Sequence, residues 1–366
     1  MQAAYTYNKQ LWKKLRKNKG AVLGLCFIIF TFLIAIFGYI IAPDNSPNAD
    51  VQTVEIQAKK PGYTQLFLKI PNYKKVQQSW PMQLLYGRTL SYQLLPIKSY
   101  TINNDSLLVN KFIDDDTAVV QWFSINALTQ HQPQILPNQL LYTKTYWLGT
   151  DKFGRDILSR LIIGARVSIA VGVIAVLISL TVGVFLGALA GYYRGKIDAI
   201  ILWFVNVTWS IPTLLLVFAI TMALGKGFWQ IFIAIGLTMW VNIARLVRGQ
   251  VMALQQLEYI QAAKVLGLTD SRIIVRHILP NILGPLLVIA ASNFATAIII
   301  EAGLSFLGIG VQPPQPSWGL MIKENYNFII THHPFLAIVP GIAIMLLVLA
   351  FNLLGNGLRD AVDVKN

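Results

Sequence analysis

The residue types able to do chemistry are few and scattered in this chain. Its four histidines are His131, His277, His332 and His333. A zinc site takes its ligands at short fixed spacings. Here two histidines stand alone, and the adjacent pair would point in different directions on a helix or a strand. No metal centre is expected. Asp114-Asp115-Asp116 lacks the spaced oxygens of an EF-hand loop and reads as a solvated turn. Gly191-Tyr-Tyr-Arg-Gly195-Lys196-Ile197 misses the phosphate-binding pattern G-x-x-x-x-G-K-[ST] in spacing and in its last residue. Nucleotide hydrolysis is therefore not expected of this chain. With no G-x-S-x-G elbow and no H-E-x-x-H pair, the chain reads as a non-enzyme without a cofactor of its own.

The elements around these residues explain why chemistry is sparse. The 366 residues are 55% hydrophobic and 13% charged, where a soluble domain carries roughly a quarter charged residues. Long uncharged runs point to a polytopic membrane protein. The net charge of +14 could suggest nucleic acid, but the cations cluster beside apolar spans, as the positive-inside rule requires. The implied partner is the lipid bilayer. Buried carboxylates in membrane helices mark ion or proton paths. The spans are essentially free of them, and Glu301 falls at a span end, where the headgroup level is the simpler reading. The single Cys26 lies in an apolar run and excludes an internal disulfide framework.

The expected fold class is all-α polytopic, with six transmembrane helices and a β-rich exterior insertion between the first and second. Residues 1–42 comprise a basic tail (Lys9, Lys13, Lys14, Arg16, Lys17, Lys19) and a first span over 21–42, retained rather than cleaved. The basic flank puts the N-terminus in the cytoplasm. Residues 43–156 form an exterior segment. Its runs 51–57, 63–70, 106–113 and 118–125 alternate like strands, and Pro61-Gly62 and the Asp triplet fall where turns would be. Residues 157–358 hold five further spans, over 167–193, 199–225 (kinked near Pro212), 227–244, 278–300 and 334–358. Lys226 marks a tight outer turn, and a cytoplasmic loop occupies 245–277. Residues 359–366 form a cytoplasmic tail. Gly183, Gly187 and Gly191 are spaced four apart, which lets membrane helices approach closely.

One polar passage stands out between two very apolar stretches. Glu258 to Leu266 are good helix formers, Gly267 suits the left-handed position past a helix end, and Thr269 can cap a second helix through its hydroxyl. Asp270 falls in that helix's favourable first turn. Small Ala262 and Ala263 leave room for close approach. From pattern alone the passage is either an ordinary amphipathic connector or a docking loop. Two function classes follow: a transport channel subunit energised by another protein through this loop, or a membrane-anchored receptor or scaffold acting through its exterior module.

Residues 258–280 resemble the "EAA" signature of ABC importer permeases. Ala262, Ala263, Gly267, Leu279 and Pro280 match it, while Gln261 replaces the signature glutamate. Trp147–Asp156, Ser159-Arg160, Gly164–Ser168, Ala190–Asp198, Glu301–Gly310 and Leu358–Asp363 resemble "C"-type permeases of the dipeptide, oligopeptide and nickel type. The likeness covers about 11–42 and 147–363. It implies a type I importer permease fold, in which Glu258, Tyr259, Gln261, Ala262, Ala263, Gly267, Leu268, Thr269, Leu279 and Pro280 form a coupling loop seated in an ATPase cleft. It implies as partners a "B"-type permease, two ABC ATPase subunits that bind ATP and Mg, an extracytoplasmic peptide-binding protein and a peptide substrate, at a plasma or inner membrane. Relatives of this type also carry nickel chelates or microcin-like peptides, and the insertion at 43–146 is longer than in many of them.

Overall fold

The computed structural model describes residues 12–71, 78–103, 106–128, 140–225, 227–330 and 333–362. Lys9, His131, Lys226 with its expected turn, His332 and Asp363 lie outside them. The long helices are α1 (Lys19–Ile41), α2 (Ile157–Tyr193), α3 (Gly195–Ser210), α4 (Thr213–Leu224), α5 (Phe228–Leu254), α6 (Glu258–Val265), α7 (Asp270–Phe306), α8 (Trp318–Asn325) and α9 (Phe335–Val362). Helices α1, α2, α5, α7 and α9 are each long and apolar enough to cross a membrane. The pair α3–α4 meets the same test together but bends by 98°. Pro212 is the cause: it has no N–H to donate and pushes Ile211 into extended backbone. The chain divides into two compact units.

The first unit comprises residues 1–32, 167–312 and 341–366. Its core gathers Val171, Ala175, Ile231, Phe232, Ile235, Ala297 and Leu304 from three long helices. Small residues set the helix spacings. A β-carbon on Gly24 would lie 2.5 Å from the Ala350 carbonyl oxygen, and one on Gly357 would lie 2.2 Å from Ala21 Cβ. Phe294 stacks on Phe351 with ring centroids 4.0 Å apart.

The second unit comprises residues 33–166 and 313–340. It holds an antiparallel five-stranded sheet in the order β4-β3-β2-β1-β5, built from β1 (Tyr63–Pro71), β2 (Tyr92–Asn103), β3 (Ser106–Phe112), β4 (Ala118–Ser124) and β5 (Leu141–Tyr146). Strand β1 is interior, pairing Phe67 with Pro96 on one side and with Tyr142 on the other. Consecutive side chains point to opposite faces. Leu68 accordingly joins Ile97, Leu107 and Val109, while Phe67 joins Ile56, Phe112 and Tyr146.

Several local expectations change. The run 51–57 contains a 3-10 turn at Val54–Ile56. Its backbone turns on itself and toward the 150–153 loop: Ile56 N–H donates to Thr53 O (3.1 Å), Thr53 N–H donates to Phe153 O (3.0 Å), and the Thr150 hydroxyl donates to Ile56 O, bonds that a strand ladder would otherwise use. Strands β2 and β5 replace it in the sheet. Asp114 closes its own turn, accepting from the Asp116 and Thr117 amides, and the Thr117 bonds hold its carboxyl below the ordinary value. Helix α2 starts ten residues before the expected span and takes in Arg160 and Arg166, the charges that set the start of the uncharged run at 167. Arg160 is buried, its Nη2 3.1 Å from Glu324 Oε2. Arg155, just before the helix, reaches Asp151 (2.7 Å), Asp50 (3.0 Å) and Glu324 (2.7 Å). Counting charges along a sequence cannot show that they are paired in space.

Candidate functional site: the helix–glycine–helix loop and the glycine seam

The passage after α5 folds as helix, break, helix. Helix α6 ends in a complete Schellman motif. Gly267 N–H bonds to Lys264 O (3.0 Å), Leu268 N–H bonds to Ala263 O (3.2 Å), and Gly267 has φ +78°. Thr269 occupies the cap position of α7, but its hydroxyl makes no capping bond and lies 3.5 Å from Ser271 Oγ. Its backbone carbonyl instead accepts from Ile273 N–H at 3.0 Å. Further on, α7 widens to a π-turn over Ile274–Ile278 and tightens to a 3-10 turn over Leu279–Ile282. Pro280 cannot donate and its ring would strike the carbonyl of residue 276, so the regular ladder gives way there.

The loop has two faces. Ile260 and Ala263 turn inward and join Val247, Val251, Ile273, Ile278 and Ile282 in one buried cluster. Full burial of a side chain such as Ile260 contributes about 2 kcal/mol. Glu258, Tyr259, Gln261, Ala262 and Lys264 face outward. So do the apolar side chains of Leu257, Val265 and Leu266, the last two at 88% and 79% exposure. Leu268 and Leu279 are half-buried, whereas Gly267, Thr269 and Pro280 are exposed. Tyr192, at the end of α2, braces the elbow. Its hydroxyl donates to Asp270 Oδ1 (2.7 Å), Lys264 Nζ sits 4.7 Å from its ring centroid, and Gln255 Nε2 donates to its carbonyl (2.9 Å). Sequence reading passed over this tyrosine, because nothing in its neighbours signals a contact nearly eighty residues away. Tyr259 Oη accepts from Asn281 Nδ2 at 3.3 Å.

The seam above the loop joins α2 to α5. A β-carbon on Gly183 would lie 2.7 Å from Trp240 O, one on Gly187 would lie 2.5 Å from Ala244 O, and one on Gly191 would lie 2.7 Å from Arg248 O. The three glycines thus step along α5 at matching intervals, and the two backbones run in contact. Arg248 also holds Asp198 of α3 in a two-point grip. Arg245 lies over the Trp209 ring at 3.7 Å and donates to Asn206 (2.8 Å). Two of the loop's cations are therefore already engaged within the chain.

Other candidates resolve differently. Among the described residues, no group of three or more His, Cys, Asp or Glu side chains could hold a metal ion. Glu301, expected at headgroup level, is fully buried and accepts from Ser305 Oγ at 2.7 Å. The same hydroxyl accepts from Val311 N–H (3.1 Å), tying the turn after α7 to the helix end.

Apolar helices long enough to cross a membrane, two of them joined by a backbone-tight glycine seam, define an integral membrane protein. Residues 183–365 match the family described as binding-protein-dependent transport system inner membrane component, and residues 6–61 match the N-terminal TM domain of oligopeptide transport permease C. The chain is 41% identical over 360 residues to the dipeptide transport system permease protein DppC of Bacillus subtilis (strain 168), covering 98% of this chain and 86% of that protein. It is 41% identical to the oligopeptide transport system permease protein OppC of the same strain, covering 61% of this chain and 73% of that one. It is 44% identical to the glutathione transport system permease protein GsiD of Pectobacterium atrosepticum, covering 61% and 74% respectively. Among solved structures, the inward-facing MetNI methionine ABC transporter aligns with 20% identity and a TM-score of 0.44, over 56% of this chain and 97% of that one. The chain belongs to the binding-protein-dependent transport system inner membrane component family, in its C-type peptide-permease branch. It is thus a membrane-embedded transport permease, and membership implies ATPase and binding-protein partners.

Proposed function

We propose that the chain is one half of a peptide-translocating channel in an ATP-driven importer, paired with a B-type permease and two ABC ATPase subunits. An extracytoplasmic binding protein delivers peptide to its outer face. The chain crosses the plasma or inner membrane six times, counting the bent α3–α4 pair as one span, with both termini cytoplasmic. Residues 43–156, with their sheet, lie outside, and 245–277 lie inside. The names of the relatives, for dipeptide, oligopeptide and glutathione transport, support a short peptide as cargo.

The observation that carries this reading is the outward apolar surface of Leu257, Val265 and Leu266 beside an elbow fixed by the Gly267 motif and by Tyr192. Apolar side chains this exposed at the end of a membrane bundle fit a protein cleft better than water. Glu258, Tyr259, Gln261, Ala262, Ala263, Leu268, Thr269, Leu279 and Pro280 shape that surface or hold it in place. ATP and Mg bind to the partner ATPases. Closure of the ATPase dimer displaces the loop, and α5, in backbone contact with α2 at Gly183, Gly187 and Gly191, carries the displacement into the bundle. The permease halves then exchange between inward-open and outward-open states. Nucleotide biases that equilibrium through contacts that differ between the two states.

The test is Gly267→Val in the reconstituted complex. Insertion and assembly are expected to survive, while substrate-stimulated ATP hydrolysis and uptake are lost. Normal uptake by the variant would overturn the coupling role.

A further inference from the structure

A cavity of about 910 Å³ opens in the sheet-bearing unit beside the Gln57–Gly62 turn, lined by Lys59, Lys60, Tyr63, Asp115, Phe328 and His333. Its size falls in the range of small-ligand sites. Its rim is fixed. Ala58 sits at φ +52°, in the left-handed region that residues with a β-carbon avoid. It is held there by its N–H donating to Asp151 O at 3.0 Å. Lys59 N–H donates to Thr150 Oγ1 (2.9 Å), Thr150 N–H donates to Lys59 O (3.1 Å), and Gly62 N–H donates to Tyr146 O (2.9 Å). Unfavourable backbone held by surrounding bonds is a recurring feature of binding sites.

The polar groups have a definite sign. Asp115 is already spent: both of its oxygens accept from Lys59 Nζ, at 2.7 and 2.8 Å. Lys60, in the same turn, is exposed and has no carboxylate partner among the described residues. The cavity therefore carries an uncompensated cation. His333 adds an aromatic ring to the wall. Its Nδ1 is buried and has no hydrogen-bond partner among the described residues. Its ring is set edge-on against Phe328, with centroids 6.5 Å apart, and against Phe335 at 6.1 Å. An Nδ1 so buried is out of a ligand's reach, so His333 serves the cavity through its ring. Tyr63 and Phe328 extend the aromatic wall beside Lys60.

We propose that this cavity is a subsite for the C-terminal carboxylate of a short peptide. Lys60 holds the carboxylate, and an apolar or aromatic terminal side chain lies against Tyr63, Phe328 and the His333 ring. The peptide's amino end is disfavoured because Asp115 is already paired. The assignment rests on peptide being the cargo.

The experiment uses the full-length chain in lipid nanodiscs and two probes, the tripeptide Ala-Ala-Phe and its C-terminal amide, titrated calorimetrically. The free acid is expected to bind roughly tenfold tighter than the amide, the factor expected for one charge-assisted hydrogen bond. Lys60→Glu should erase that preference and Lys60→Arg should keep it. Lys60 is exposed, so neither change touches the core. Equal affinity for acid and amide, no binding, or an unchanged preference in Lys60→Glu would each overturn the subsite. Peptide uptake by the assembled transporter is followed in parallel. Uptake without binding at this cavity sinks the subsite and leaves the importer reading intact. Binding without uptake upholds the subsite and removes peptide as the cargo.

Discussion

Arg248 grips Asp198 through two hydrogen bonds of 2.6 Å, Nε to Oδ1 and Nη2 to Oδ2. The pair fastens α5 to the start of α3, six residues before α5 ends at Leu254. Both side chains are partly buried and the geometry is two-point, so the bond is stronger than an exposed single-point ion pair. Lysine cannot supply the planar two-point fork. Arg248→Lys should therefore cost about 1–2 kcal/mol, read as a lower midpoint in thermal unfolding of the detergent-solubilised chain. Asp198→Asn should cost a similar amount. The double variant should fall short of the sum of the two, because both remove one interaction.

The glycine seam makes a size-dependent prediction. Gly187→Leu forces a side chain where a β-carbon alone would lie 2.5 Å from Ala244 O and 2.9 Å from Val247 Cβ. Overpacking of that kind costs about 1–3 kcal/mol or separates the helices. Gly249, on the same α5, has nothing within 4 Å of its β-carbon position. Gly249→Ala should stabilise the chain by about 0.5–1 kcal/mol through helix propensity. Equal effects at the two positions would mean that α2 and α5 are not in backbone contact.

At Gly267 the expected order of tolerance is Asn, then Ala, then Val. A β-carbon there meets nothing within 4 Å, so the penalty comes from the left-handed backbone and not from crowding within the chain. Asn tolerates that conformation, whereas Ala costs about 1–2 kcal/mol and β-branched Val more. Substrate-stimulated ATP hydrolysis across the series should follow this order. An order set by side-chain volume alone would transfer the cause to a partner's surface.

Arg155 lies at the centre of a buried charge group, and its removal leaves Asp50, Asp151 and Glu324 sharing Arg160 alone. Breaking a buried pair by deleting one partner costs about 3–5 kcal/mol. Arg155→Met should therefore lower the unfolding midpoint sharply and open the loops around 44–60 and 150–156 to proteolysis.

The neighbouring Asp156 gives a pH signature. Burial pushes its carboxyl above the ordinary value, against the opposing pull of Lys144 and a hydrogen bond from Ser159. A raised carboxylate pKa means that the folded chain holds the proton more tightly than the unfolded chain does. The ionised form therefore costs stability above the folded pKa, and that cost fades as pH falls through it. The Asp156→Asn midpoint should be highest relative to the parent at neutral pH, with the gap closing as the solution is acidified. A gap that widens on acidification would show that pairing with Lys144 outweighs burial.

The topology has its own check. Single cysteines placed in 43–146, in a chain lacking Cys26, should react with an impermeant thiol reagent from outside intact cells. Those placed in 250–275 should not. The reverse pattern would invert the proposed orientation.

Much of this was determined by residue type along the chain. Uncharged runs long enough for a membrane, cations at their flanks, glycines four apart and the break at Gly267 are local or periodic features, and local sterics and hydrophobicity read them directly. Tertiary structure decided what depends on distant partners. The charges of Arg155 and Arg160 are hidden by Asp50 and Glu324, far away in the chain, and a span expected at 167 begins as a helix at Ile157. The run at 51–57 alternates like a strand, yet its backbone turns on itself and toward the 150–153 loop. Tyr192 became a brace, and Glu301 a buried acceptor, only once helices had packed. Pairing and burial are properties of the folded neighbourhood, and one-dimensional pattern carries no distance information about them.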